Sequence, residues 1–305
     1  MNTSLSRDVP KDVTCVWPLA ATLGEGPVWS VPDACLWFVD IKRHQLHRHV
    51  PGTEGGQTWA LPGQAGFALP AKGGASSTGG ELVIGLPGEL RAFDPRNGQS
   101  RPLLRFEQDR PGNRLNDAHV DAAGRLWFGS MDDAETALSG ALYSCVQGRL
   151  TRHDDGICIT NGPVTSPDGR TLYHTDTVAR EIHAFDLAAD GTTSGKRLFL
   201  RFGDDHGWPD GSSVDAEGCL WVAFFGGWGV RRYAPDGRLL AVVPLPCANV
   251  TKLAFGGPDL RTAYVTTARK GLGEVDLAAQ PLAGGLFSFT APAPGLPSTA
   301  WDFPA

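Results

Sequence analysis

Four polar residues of this 305-residue chain stand at one fixed distance from a turn. Glu25 lies eight positions before Asp33, Asn116 eight before Gly124, Asn161 eight before Gly169 and Asp210 eight before Gly218. Their contexts read EGPV, NDAH, NGPV and DGSS. Asn and Asp next to glycine are ordinary turn formers. Glu is not, and four equivalent positions point to a shared object. Glu25, Asn161 and Asp210 would supply two carboxylates and an amide oxygen, a hard donor set without His or Cys. Such a set suits Ca²⁺, Mg²⁺ or Mn²⁺. Two carboxylates brought together also raise each other's proton affinity unless a positive charge lies between them.

The elements that must gather these residues are visible as a repeat. A turn followed by a strand with a large residue recurs at Trp37, Val83, Trp127, Tyr173, Trp221 and Tyr264, at spacings of 46, 44, 46, 48 and 43. A period in the mid-forties built from short strands marks a propeller blade. The later segments LRAFDPRNG, ALYSCVQG, IHAFDLAADG and VRRYAPDG alternate apolar with polar residues and end in turns, as outer antiparallel strands do. We therefore expect an all-β, six-bladed β-propeller with four-stranded antiparallel blades, residues 1–305 forming one domain. A strand near Val13–Trp17 should complete the last blade beside Gly285–Phe289. Each of the four polar residues then heads the innermost strand of its blade, and the ring brings them to one mouth of the central channel.

Composition fits this reading. The chain has 39 glycines and 23 prolines, and 41% of its residues are hydrophobic, which suits many short elements around a large core. A net charge of −6 without a basic run excludes nucleic acid as the expected partner. No stretch approaches the roughly 20 apolar residues of a membrane helix, and residues 1–11 lack the apolar core of a signal peptide. The cytoplasm is the expected location. The six cysteines are scattered singly and read as buried, reduced and structural. Neither a G-x-S-x-G elbow nor a P-loop is present. His44, His47 and His49 read as exposed residues of an outer strand, and His206 and Trp208 as residues of a pocket mouth.

The segments LGEGPVW (23–29), RLNDAHVDAAGRLWFGSMDD (114–133), TNGPVTSPDGRTLYHTDT (160–177), WPDGSSVDAEGCLWVA (208–223) and AYVTTAR (263–269) together resemble the gluconolactonase, regucalcin and senescence-marker-protein family. The resemblance runs over nearly the whole chain. It implies a six-bladed propeller with one divalent ion near the axis, held by the positions of Glu25, Asn161 and Asp210. Across such a family the resemblance implies Ca²⁺, Zn²⁺, Mg²⁺, Mn²⁺ or Fe²⁺ as the ion. The resemblance further implies a sugar lactone as the small-molecule partner, positioned by Arg114 and Asn116. The chain departs from the family pattern at Ala118, where Gly is usual. It departs again at Ala134, where several relatives carry a substrate-contacting Glu; Asp132 or Asp133 stands in as the expected substitute.

The expected activity is metal-dependent hydrolysis of an aldono-1,4- or 1,5-lactone to its aldonic acid, with Asp210 as candidate general base as well as ligand. The alternatives are a paraoxonase-like esterase or organophosphatase on the same metal propeller, and a non-catalytic calcium-binding regulatory or interaction propeller. A monomer or weak homo-oligomer is expected.

Overall fold

In the third and fifth blades a carboxylate closes the repeating turn. Asp121 Oδ1 accepts the backbone N–H groups of Ala123 and Arg125, while its Oδ2 accepts Arg125 Nε at 2.6 Å and Trp127 Nε1 at 2.8 Å. Asp215 repeats the device, with the Glu217 and Cys219 N–H groups on Oδ1 and Trp221 Nε1 at 2.9 Å on Oδ2. One side chain thus fixes both the turn and the aromatic of the next strand. Trp127 and Trp221 are fully buried.

The computed structural model describes residues 12–72 and 80–303; the polar stretch 1–11 lies outside them. Six antiparallel sheets are arranged as a six-bladed β-propeller. The inner strands are Gly24–Ser30, Ala68–Lys72, Asn113–Val120, Thr160–Thr165, Trp208–Val214 and Val250–Gly256. Thr160–Thr165 packs between Asn113–Val120 and Trp208–Val214, and Val250–Gly256 packs between Trp208–Val214 and Gly24–Ser30. These strands surround the axis. Apolar clusters fill the spaces between neighbouring blades, the largest centred on Phe67, Phe128 and Tyr143.

Thr14–Trp17 pairs antiparallel with Leu286–Thr290 as the outermost strand of the sixth blade, the ring closure expected from the sequence. The second blade departs from the four-stranded pattern. Trp301–Asp302 adds a fifth strand to it, parallel to the inner strand, with Trp301 opposite Ala71. Trp301 and Phe303 join the cluster of Phe67 and Phe128. Burying two aromatic rings favours this docking, and the edge of the inner strand supplies the pairing.

The expectation of exposed histidines is corrected at two positions. His44 is exposed in a turn, but His47 and His49 are buried. The His47 ring lies 5.0 Å from that of Phe38 and 5.5 Å from that of Trp17, between centroids. Trp17 belongs to the closing N-terminal strand, so a residue outside the first blade's own sequence covers them. All six cysteines are free, Cys15 half-buried and the others buried. Among the described residues no helix is long and apolar enough to cross a membrane.

Candidate active site

Glu25, Asn116, Asn161 and Asp210 each sit where the pairing of an inner strand with its neighbour slips. The register shifts fall between Glu25 and Val28, Leu115 and Ala118, Asn161 and Val164, and Pro209 and Ser212. A bulge of this kind bends the strand and re-aims its side chains. Gly26 and Gly162 take φ of +57° and +51° within two of these bulges, a conformation that glycine adopts without steric penalty. The repeated glycine after the polar residue therefore serves the site.

Glu25, Asn161 and Asp210 line one cavity of about 300 Å³ together with Arg114 and Asn116. All five are buried. The wall is apolar at Leu23, Met131, Ile159 and Phe225. Asn116 links the two halves of the site: its Nδ2 donates to Asn161 Oδ1 and to the Thr160 carbonyl, both at 2.8 Å. Its Oδ1 accepts Arg114 Nη1 at 2.7 Å. Both Nδ2 hydrogens are thus taken, leaving a lone pair on Oδ1. Asn161 Nδ2 donates to Thr177 Oγ1 at 2.9 Å, which in turn donates to the Pro209 carbonyl at 2.8 Å. The amide oxygen of Asn161 is thereby set by neighbours on both sides.

The two carboxylates are electrostatically strained. Burial raises Glu25 to about 7, helped by the nearby Asp117 charge and opposed by the Gly26 N–H, Lys252 and Arg114. Burial, then Glu25 and Asp117, lift Asp210 well above the usual carboxylate range; Lys270 and the Gly211 N–H oppose the rise. No side chain among the described residues donates a hydrogen bond to Asp210. Among those residues no group of three or more His, Cys, Asp or Glu side chains is set to hold a metal ion; the third donor of this trio is an amide. Two desolvated carboxylates and an oriented amide oxygen fit a hard divalent cation, which would relieve their repulsion.

Arg114 donates Nε to Asp133 Oδ1 at 2.8 Å and Nη1 to the Leu115 carbonyl and Asn116, so no described protein group holds Nη2. Asp133 also accepts Lys42 Nζ at 2.6 Å and Gln64 Nε2 at 3.1 Å. Burial raises its proton affinity, but these donors and the Arg114 charge override that and hold it at about 2. Asp133 is therefore a brace behind Arg114, not a wall of the cavity. Asp132 is also outside the cavity lining: its Oδ2 accepts the N–H groups of Thr136 and Ala137 and the Thr136 hydroxyl. Neither aspartate is among the residues that line this cavity.

Glu135 does line the cavity. It follows Ala134 directly, takes a positive φ of 60° and pairs with Lys270. Trp208 lies at the mouth as expected, 43% exposed, with the Arg180 guanidinium 5.0 Å from its ring. His206 instead pairs with Asp205 outside the lining. Sequence reasoning missed Glu135, Lys270, Thr177 and the buried Lys252; a lysine inside the apolar inner strand VTKLAFG was the one visible signal.

Residues 23–269 match the profile described as SMP-30/Gluconolactonase/LRE-like region. The chain belongs to this family. Among the SMP-30/gluconolactonase relatives, the 6-deoxy-6-sulfogluconolactonase of Pseudomonas putida is 33% identical over 284 residues, covering 92% of this chain and 95% of that one. Regucalcin of Xenopus laevis is 32% identical over 286 residues, covering 91% and 94%. A solved structure of the calcium-binding protein regucalcin from Agrobacterium tumefaciens superposes with a TM-score of 0.88 at 29% identity, covering 94% of this chain and 96% of that one.

Proposed function

We propose that the chain hydrolyses a sugar lactone to its aldonic acid, with one divalent ion held by Glu25, Asn161 and Asp210. The observation that carries this reading is the convergence of two buried, strained carboxylates and an oriented amide beside Arg114 in one cavity of about 300 Å³. A relative named as a sulfogluconolactonase supports the lactone, and a structural neighbour described as calcium-binding supports the ion. When bound, a divalent ion supplies Lewis acidity, polarising an ester carbonyl and acidifying a water.

The protein's own residues do the rest. Arg114 is held on its Nε and Nη1 edges, which leaves Nη2 to meet a ring hydroxyl or the carbonyl oxygen as it gains charge. The remaining lone pair of Asn116 Oδ1 accepts from a sugar hydroxyl. A carboxylate oxygen of Asp210 takes the proton of the attacking water. Trp208 offers its ring to the apolar face of the sugar at the entrance. The buried wall excludes bulk water and strengthens each of these contacts.

The test is a screen of pentono- and hexono-lactones against an aryl ester, using chelated protein with each divalent ion added back. Turnover of a sugar lactone well above the aryl ester supports the reading. Preference for the aryl ester moves the function to an esterase, and an absence of turnover with every ion contradicts hydrolysis.

A further inference from the structure

A lysine crosses the channel beneath the candidate site. Lys252 lies on the inner strand of the sixth blade, and its Nζ meets Asp117 Oδ1 on the inner strand of the third, 135 residues away and half the ring apart. Both side chains are buried. The same Nζ also donates to the Ala118 carbonyl at 3.3 Å. On its way the aliphatic stem lies against Gly211, the neighbour of Asp210: a Cβ there would come within 2.5 Å of the Lys252 Cβ and Cγ. At the far end Asp117 Oδ2 accepts the Gly162 N–H at 2.9 Å, and Oδ1 accepts the Ala118 N–H at 2.7 Å. Gly162 follows Asn161 in the fourth blade's bulge. One side-chain pair therefore touches the backbone beside two of the proposed ion-holding residues.

The same pair fixes the charge of the site. Arg114 and Lys270, the cations of the cavity wall, each pair with a carboxylate off the axis: Arg114 with Asp133, which Lys42 shares, and Lys270 with Glu135. Around the axis, among the described residues, there remain Glu25, Asp210 and Asp117, ionised when a cation is bound, against the ammonium of Lys252. That leaves two negative charges in excess. Without Lys252 there would be three, and without Asp117 there would be one.

We infer that Lys252, through Asp117, is a positioning residue that matches the axial cluster to one divalent ion, in charge and in the aim of Asn161. The inference rests on the ion-binding part of the proposed function, and it makes a prediction that a scaffold role does not. Removing the two partners should move ion affinity in opposite directions.

The experiment is calorimetric titration of chelated protein with Ca²⁺, without substrate, on wild type, Asp117→Asn, Lys252→Met, the double variant and Lys252→Arg. Thermal melts by circular dichroism establish that each is folded. Lys252→Met keeps an unbranched stem against Gly211 while losing the charge. Asp117→Asn should weaken Ca²⁺ binding at least ~10-fold, and Lys252→Met should tighten it by a comparable factor, since each alters by one unit a charge in a desolvated site. The double variant and Lys252→Arg should lie near wild type. A loss of affinity in both single variants, deepest in the double, would overturn the inference and make the pair a scaffold alone. Should Lys252→Met fail to fold, Asp117→Asn binding as tightly as wild type would overturn it equally. Wild-type protein that takes up no Ca²⁺, Mg²⁺ or Mn²⁺ would instead bring down the ion site of the proposed function, and this inference with it.

Discussion

Asn116 Nδ2 lies 2.8 Å from Asn161 Oδ1, and the two residues are 45 apart in the chain, one blade period. This bond joins the proposed substrate side of the cavity to the proposed ion side. Asn116→Ala removes it together with the bond to the Thr160 carbonyl. At about 0.5–1.5 kcal/mol for each hydrogen bond, divalent-ion affinity should fall about tenfold with the fold intact. Calorimetric titration with Ca²⁺ checks this; unchanged affinity would show that Asn161 holds its orientation unaided.

Arg114 should matter to substrate and not to the ion. A lysine cannot reproduce the guanidinium fork that meets Asp133 and Asn116 while leaving Nη2 exposed to the cavity. Loss of a charge-assisted hydrogen bond costs about 1.5–3 kcal/mol, so Arg114→Lys should lower kcat/KM for the preferred lactone about ten- to a hundredfold. Ca²⁺ affinity should hold. Collapse of both together would make Arg114 a structural residue.

The legible part of this site is the part that repeats. Glu25, Asn116, Asn161 and Asp210 occupy the same offset from each blade's turn, and propeller symmetry converts equal offsets in sequence into one place in space. The bulges they share explain why a polar residue and, in three blades, a glycine stand together. The pairs Asp117–Lys252 and Glu135–Lys270 were not legible. Each joins residues 135 apart, three periods along the chain, and opposite blades meet across the axis only once the ring closes. The fifth strand of the second blade was hidden for a related reason: Trp301 and Phe303 follow the last repeat, and nothing local to them specifies the parallel partner at Ala71.

That added strand should contribute to stability. Trp301 is 1% exposed, and truncating a buried aromatic to alanine costs about 3–5 kcal/mol. Trp301→Ala should show this loss in denaturant unfolding followed by circular dichroism. A loss below about 1 kcal/mol, the scale of ordinary surface substitutions, would mean that the strand is only loosely docked.

Acid should destabilise the fold through its buried and half-buried histidines. Burial lowers His47, His119, His153 and His174 from the ordinary 6.5 to about 4. The unfolded chain therefore takes up these protons first. Their contribution is fully present above pH 6.5 and is lost as pH falls toward 4. Glu25 and Asp210 act in the opposite sense, because their raised folded values make protonation favour the folded chain. His174→Gln isolates one histidine from that background. Denaturant midpoints between pH 7 and pH 4 should fall less steeply for the variant than for wild type; equal slopes would show that His174 is not held neutral.

The central claim is that lactone hydrolysis runs through an ion held by Glu25, Asn161 and Asp210. Its most direct test is the initial rate of lactone hydrolysis by thoroughly chelated protein as a divalent ion is titrated back. The rate should start near the uncatalysed background, rise in proportion to added ion and level off at one equivalent per chain; Glu25→Gln, which removes one ligand charge, should need a large excess. Full activity in the chelated protein, or identical titrations for wild type and Glu25→Gln, would contradict the account.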